Sequence, residues 1–308
     1  MKTRLCTVLL LAAVLVASLP ATADDNSPLC FRPDGTNGFR FDTGLLRGQL
    51  RAGGSSRGLS GVVHVPSGMR LDRSMGLFGH YRVFSTNHRY GTAAWDWPSE
   101  AQLQADGSVA MRWPASPERP FELRAVYRWA AANQLDLVTS VEAKTDLSRF
   151  ESFLASYFAP EFTNALVYVG ELPDKPGTKG LLAAESSQGI WQAFPREAAV
   201  VPILQDGRWK FEPNPVDWTI RPTLAYPLGV RRCPANGLSA VLMSPSGDCF
   251  AVSTPHQTEA HYSMYLSLFG RDLKAGETAQ ARVRLLIGSG MTEAELLKAY
   301  RDFSAHGR

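Results

Sequence analysis

Between residues 103 and 143 the chain alternates apolar and polar side chains with a period of two. FELRAVYRW places Phe121, Leu123, Ala125, Tyr127 and Trp129 on one face and Glu122, Arg124 and Arg128 on the other, which marks a half-buried strand. After a turn over residues 131–134, LDLVTSVEA returns with Leu135, Leu137, Thr139 and Val141 inward. Ahead of this pair, VAMRW follows Asp106-Gly107, a dipeptide that favours a tight hairpin. Residues 148–162 (SRFESFLASYFAPEF) predict a strand running into a pocket-side loop. The last third is β again: LSAVLMSP, CFAVSTP, YSMYLSLFG, then ARVRLLIG after a turn at Lys274-Ala275-Gly276-Glu277.

A single helix closes the chain. Thr292 and Glu295 make a capping box, and Leu296, Leu297, Tyr300 and Phe303 form an apolar stripe for the core. Residues 24–61 are rich in Gly, Asp, Asn and Ser, and AGGSSRGLSG predicts a flexible loop before strands begin at GVVHV. Residues 170–234 carry ELPDKPG, PVDWTIRP and LAYPLG. Prolines this frequent argue against long helices and central strands, so loop laid over a sheet is expected, and such loops often carry binding function. The pattern is all-β: an antiparallel β-sandwich with one short C-terminal helix.

The N-terminus has the form of a secretory signal. Lys2 and Arg4 precede an apolar run at residues 8–19, and Ala21-Thr22-Ala23 offers a cleavage site. The expected mature chain starts at Asp24, has no membrane span, is secreted or periplasmic, and forms a single domain over residues 24–308. Removing Lys2 and Arg4 takes the formal charge from +3 to about +1. So balanced a chain offers no electrostatic case for nucleic acid. Export permits a disulfide. Cys233 and Cys249 flank an expected hairpin and form the natural pair, with pairings to Cys30 left open. No Cys and His spacing suggests zinc, so no cofactor is expected, although a divalent ion held by loop carboxylates would leave no motif.

The chemistry concentrates in residues 79–98, GHYRVFSTNHRYGTAAWDWP. Sugars are held by hydrogen bonds from Asn, Asp, Arg and His, and their apolar faces stack on Trp or Tyr. This stretch supplies both. His80, His88 and Tyr90 are its candidate proton carriers, and Arg82, Asn87, Arg89, Trp95, Asp96 and Trp97 its candidate sugar contacts. If the strand alternates regularly, His80 and Arg82 share a face and point at one ligand. The bland alternative makes WDW a turn with core tryptophans and leaves the arginines solvated or paired. His256, Glu259 and His261 in STPHQTEAHYS, together with Glu161, can join this stretch only if loops at one end of the sandwich converge. GxSxG, HExxH and a phosphate-cradling glycine loop are absent, which sets aside serine hydrolase, zincin and nucleotide enzyme.

The hairpin FELRAVYRWAAANQLDLVTSVEAKTDLSRFESFLASYF and the ending YLSLFGRDLKAGETAQARVRLLIG resemble the galactose mutarotase-like β-supersandwich, over roughly residues 76–288. That family includes aldose 1-epimerases and the sandwich domains of several polysaccharide lyases and glycosidases. The resemblance implies a carbohydrate ligand. It also places Ala155 where the epimerases carry a catalytic histidine, and alanine cannot protonate a ring oxygen. Glu259 is the nearest match to their catalytic glutamate. The related lyases combine Asn, His, Arg and Tyr, types that Asn87, His88, Arg89 and Tyr90 offer here, with His80 as the alternative base. Two readings follow: a carbohydrate-active enzyme of lyase or epimerase type, or a non-catalytic glycan-binding module.

Overall fold

The computed structural model describes residues 29–305 apart from 37, 53–56, 74, 257, 259 and 260. The expected signal segment, the start at Asp24 and Glu259 all lie outside the described residues.

Two large sheets make the sandwich. The nine-stranded sheet runs Gly180–Ala183, Asn164–Val169, Leu224–Arg232, Leu238–Met243, Thr278–Ser289, Gln134–Ala143, Phe121–Ala131, Val109–Trp113 and Glu100–Leu103. The seven-stranded sheet runs Thr219–Ile220, Trp191–Pro195, Cys249–Pro255, Ser263–Leu273, Leu147–Tyr157, Gly79–Ser85 and His88–Arg89. Pairing is antiparallel except at the short edge strand Thr219–Ile220. The inward faces expected of the central hairpin meet here, with Phe121, Leu123, Tyr127, Leu135, Leu137 and Val141 all in the core. Glu293–Ala305 is the closing helix. Thr292 and Glu295 cap it reciprocally, and Leu296, Tyr300 and Phe303 pack on the outer side of the nine-stranded sheet. No helix among the described residues is long and apolar enough to cross a membrane.

Three expectations need correction. Strands begin well before GVVHV: Arg32–Pro33, Gly38–Asp42, Leu46–Arg51, Gly58–His64 and Met69–Arg70 form a third, five-stranded sheet, and the expected loop AGGSSRGLSG falls partly on residues 53–56, outside the described residues. Phe41 of that sheet packs on Trp129, with ring centroids 4.8 Å apart. The proline-bearing segment LAYPLG does enter a central strand, Leu224–Arg232. The register against Asn164–Val169 slips between the Val167–Gly229 and Val169–Leu224 pairs, so Pro227 falls within an irregularity where a missing N–H is tolerated. Cys30, Cys233 and Cys249 are separate buried thiols. Leu238–Met243 and Cys249–Pro255 do not form a hairpin. They belong to opposite sheets, which removes the reason to pair Cys233 with Cys249.

One irregularity decides where the polar side chains of Gly79–Ser85 go. Against Leu147–Tyr157, Phe153 pairs with Arg82 but Leu154 pairs with His80, so Tyr81 is the extra residue of a β-bulge. A one-residue insertion resets the side-chain phase. His80 therefore turns into the sandwich with Leu154, while Arg82 turns out with Phe153. His80 Nδ1 lies 2.9 Å from Ser152 Oγ of its own sheet, and Nε2 lies 3.2 Å from Thr139 Oγ1 of the other. Its ring meets Trp113 edge-on. The strand entry is fixed too: Phe78, at φ 58°, receives a bond from the Tyr127 hydroxyl to its carbonyl (2.7 Å) and gives its N–H to Ser156 Oγ (3.1 Å).

A buried ion pair holds residues 196–218 down on the outer face of the seven-stranded sheet. Arg208 and Glu151 are both fully buried and meet at 2.9 Å, while Asp206 takes two further bonds from the same guanidinium at 2.9 and 3.0 Å. Trp209, the next residue, is thereby pressed onto Phe84 and Phe153, 4.8 and 4.6 Å between centroids.

Burial lowers the His80 pKa from 6.5 to about 3. The unfolded chain takes up that proton below about pH 6.5 and the folded one does not, so stability falls as pH drops from there towards 3. We expect wild type to lose up to about 1.4 kcal/mol per pH unit relative to H80Q over this window. Urea unfolding of both proteins at pH 7, 5.5 and 4.5 measures it, and equal slopes would show that His80 is not held neutral. R208M should lose about 3–5 kcal/mol, because it strands the Glu151 carboxylate. The double variant with E151L should recover most of that loss in the same assay.

Candidate functional site

Outward from the bulge lies a cavity of about 410 Å³. Its floor is the outer face of the seven-stranded sheet, where Arg82, Phe153, Tyr157 and Tyr265 project, and Tyr81 joins them. The walls are Trp191, at the start of strand Trp191–Pro195, and Trp209, Asn214, Pro215, Val216 and Trp218 of the irregular segment that follows. His261 closes one side. The tryptophans brace one another edge to face, Trp218 against Trp191 at 87° and against Trp209 at 88°. Tyr81 is backed by Trp95, stacked at 4.3 Å and 3°. Such mutually packed rings keep their orientation without help from a ligand.

Two arginines position the loops around this floor. Arg231 is fully buried and holds both ends of residues 255–263, donating to Pro255 O at 2.9 Å and to Ser263 O at 2.7 Å. Arg89 clasps the opposite wall, donating to Phe211 O (3.1 Å), Pro213 O (2.8 Å) and Thr92 O (2.6 Å). Partial burial, then the neighbouring Arg82 guanidinium, lowers the Arg89 pKa. Asn214, next in line, sits at φ 62°, a left-handed conformation that asparagine tolerates.

Arg82 lies at the centre, 2% exposed. Its Nη2 donates to Asn214 O at 2.5 Å and to the Tyr81 hydroxyl at 3.3 Å. Its guanidinium carbon lies 5.0 Å from the Tyr81 ring centre and 5.1 Å from that of Trp209. Cation–π contact of this kind recovers about 1–2 kcal/mol of the cost of burying the charge. Nε and Nη1 have no acceptor, nor do the indole N–H groups of Trp209 and Trp218. Beside Arg82, Ser263 Oγ bonds the Tyr265 hydroxyl at 2.6 Å, which in turn bonds that of Tyr157. Burial raises the pKa of both tyrosines, that of Tyr157 far above the ordinary phenol value, so both are neutral phenols at physiological pH. The His261 ring lies 6.4 Å from that of Tyr157.

The structure brings together only part of the expected set. Arg82 and His261 line the cavity, and Trp95 supports it from behind. His80 is withdrawn into the core and cannot reach a ligand. Tyr90 and Trp97 are core residues packed on Phe121, and the Tyr90 hydroxyl is engaged with Ser85 at 2.9 Å. Asn87, His88 and Arg89 line a separate shallow depression with Phe211 and Glu212. Asp96 and Glu161 are exposed outside the cavity. His256 lies in another depression, beside Glu185 and Ser186. Ala155 follows Phe153 and precedes Tyr157 in the same buried cluster, so the position lies beneath the cavity and carries no proton-transferring group. Among the described residues no cluster of three or more His, Cys, Asp or Glu is placed to hold a metal.

Tyr81, Trp191, Trp209, Asn214 and Tyr265 were not singled out from the sequence. One signal was available: three of the seven tryptophans (Trp191, Trp209, Trp218) fall in the proline-rich segment, where regular strand burial does not account for them.

Compared as a sequence, the chain matches no protein-family model and no curated protein. Solved structures similar to it include a galactose mutarotase related enzyme from Lactobacillus acidophilus, with TM-score 0.48 and 11% identity, over 83% of this chain and 99% of that one. An alpha-N-acetylgalactosaminidase from Bifidobacterium bifidum in complex with GalNAc has TM-score 0.49 and 10% identity, over 92% of this chain and 38% of that one. Heparan sulfate lyase from Pedobacter heparinus has TM-score 0.47 and 6% identity, over 85% and 37%. A galactose mutarotase related enzyme is thus among the structures similar to this chain.

Proposed function

We propose that this chain binds carbohydrate in the cavity above Arg82, as an exported protein. One observation carries the reading: Trp191, Trp218, Tyr81 and Tyr157 surround a floor that also presents a guanidinium, an asparagine, an imidazole and phenol hydroxyls. Flat apolar rings beside hydrogen-bonding groups match a sugar ring, with its apolar C–H face and its rim of hydroxyls. The volume, about 410 Å³, lies near the lower end for ligand pockets and suits a short saccharide or the end of a chain. Of the candidates in stretch 79–98, Arg82 and its backing ring Trp95 remain at this cavity, and His261 joins them from the far loop.

A second reading, in which the bound sugar is also turned over, is favoured by Tyr157. Its hydroxyl is a neutral phenol linked to Tyr265, it borders the cavity, and the His261 imidazole stands nearby. A phenol and an imidazole are both able to carry protons in such a reaction. His80, His88 and Tyr90 have no part in it.

Titration of the protein with a panel of oligosaccharides, read by calorimetry, tests the first reading. W218A should weaken the best ligand about tenfold or more while leaving the far-UV spectrum unchanged. If no member of the panel binds, the reading is wrong. Turnover is tested on that best ligand: Y157F should abolish product formation and leave affinity within about threefold. Binding without any product leaves the chain a binding module.

A further inference from the structure

We propose that the saccharide taken up by this cavity carries an anionic group, a carboxylate or a sulfate ester, and that Arg82 is the residue that receives it. The proposal rests on the carbohydrate reading above and sharpens it to acidic sugars.

The contrast among buried arginines carries the inference. Three arginines are almost wholly buried among the described residues: Arg82, Arg208 and Arg231. Arg208 faces two carboxylates, Glu151 and Asp206. Arg231 has no carboxylate, but it is surrounded by oxygen acceptors: Ser263 O, Pro255 O, Thr254 Oγ1, Phe162 O and Thr163 O. The fold therefore satisfies a buried guanidinium either with charge or with a full ring of oxygens. Arg82 has neither. One carbonyl and one phenol occupy Nη2, while Nε and Nη1 have no acceptor. This guanidinium is also the one that opens onto the cavity.

Among the described residues, its surroundings neither supply a counter-charge nor leave the side chain free to seek one. No aspartate or glutamate is among the described residues lining the cavity. Tyr157 and Tyr265 stay protonated and bring no negative charge. The guanidinium carbon lies over the Tyr81 and Trp209 rings, and Nε and Nη1 are buried within the cavity wall without an acceptor. A neutral sugar hydroxyl would accept a bond from Nε or Nη1 but would not neutralise the charge. A carboxylate or sulfate ester does both, in a site already shielded from water. Asn214 O and the two rings hold Arg82 in place in the folded protein, and an anion reaches Nε or Nη1 by a small shift of the side chains that cover them.

Isothermal titration at low salt tests the proposal with two sets of probes. The acidic set contains oligogalacturonates, oligomannuronates, hyaluronan oligosaccharides and heparin oligosaccharides. The neutral set contains galacto-, cello-, xylo- and manno-oligosaccharides of matched length. At least one acidic probe should bind about tenfold or more tighter than every neutral one, and raised salt should narrow that gap. R82Q should bring the acidic probe to within about threefold of the neutral set, with R82K falling between. Preference within the acidic set separates the two sources: carboxylate-only probes against sulfate-bearing ones. Should R82Q fail to fold, the preferred probe is compared on the wild-type protein with its carboxyl-reduced or desulfated form, which should bind about tenfold more weakly. Neutral probes that bind as tightly as acidic ones, or an R82Q variant with unchanged acidic affinity, overturn the role of Arg82 and leave the carbohydrate reading standing. If neither set binds, both fall together.

Discussion

A single inserted residue sets what this protein can hold. Because Tyr81 bulges against the Phe153–Leu154 step, the strand changes phase between His80 and Arg82. A regular strand would send both polar side chains the same way, either stranding a guanidinium between the sheets or exposing the imidazole that links them. The bulge allows each its own solution. His80 joins Ser152 and Thr139 across the sandwich, and Arg82 enters the cavity with Tyr81 at its side. Bulges recur beside functional sites for this reason: they re-aim side chains without breaking the sheet.

The rest of the cavity depends on charge buried deliberately around that strand. Arg208 fastens the tryptophan wall to Glu151 of the floor, and burial raises the Glu151 pKa against the opposing pull of Arg208. Arg231 gathers the loop that carries His261, and Arg89 gathers the one that carries Asn214. Each is an arginine rather than a lysine, which suits a planar fork that must reach several oxygens at fixed angles. The irregular walls are thus ordered by long polar side chains, as loops without a ladder of their own require.

The scaffold was largely legible because strand burial has a short period. Phe121 to Trp129 and Leu135 to Val141 read correctly, as did the Thr292–Glu295 cap, since each depends on neighbours within a few residues. The site was less legible because it depends on partners far apart in the chain. Nothing local in GHYRVF announces a bulge, so His80 and Arg82 were expected on one face. Trp97 and Tyr90 look like ligand platforms until Phe121 packs against them. Pro227 looked disqualifying for a central strand until a register slip gave it a place. Asn214 and Arg82 lie 132 positions apart, and their contact exists only once residues 196–218 fold over the sheet.

A structure of the protein with its preferred acidic oligosaccharide bound tests this account most directly. A sugar ring should lie against the Trp191 and Trp218 side of the cavity. An anionic oxygen should lie at about 2.7–2.9 Å from Nε or Nη1 of Arg82, with the Tyr81 bulge unchanged. A sugar seated instead in the depression beside His88 and Phe211, or one that turns its neutral face to Arg82, would contradict it.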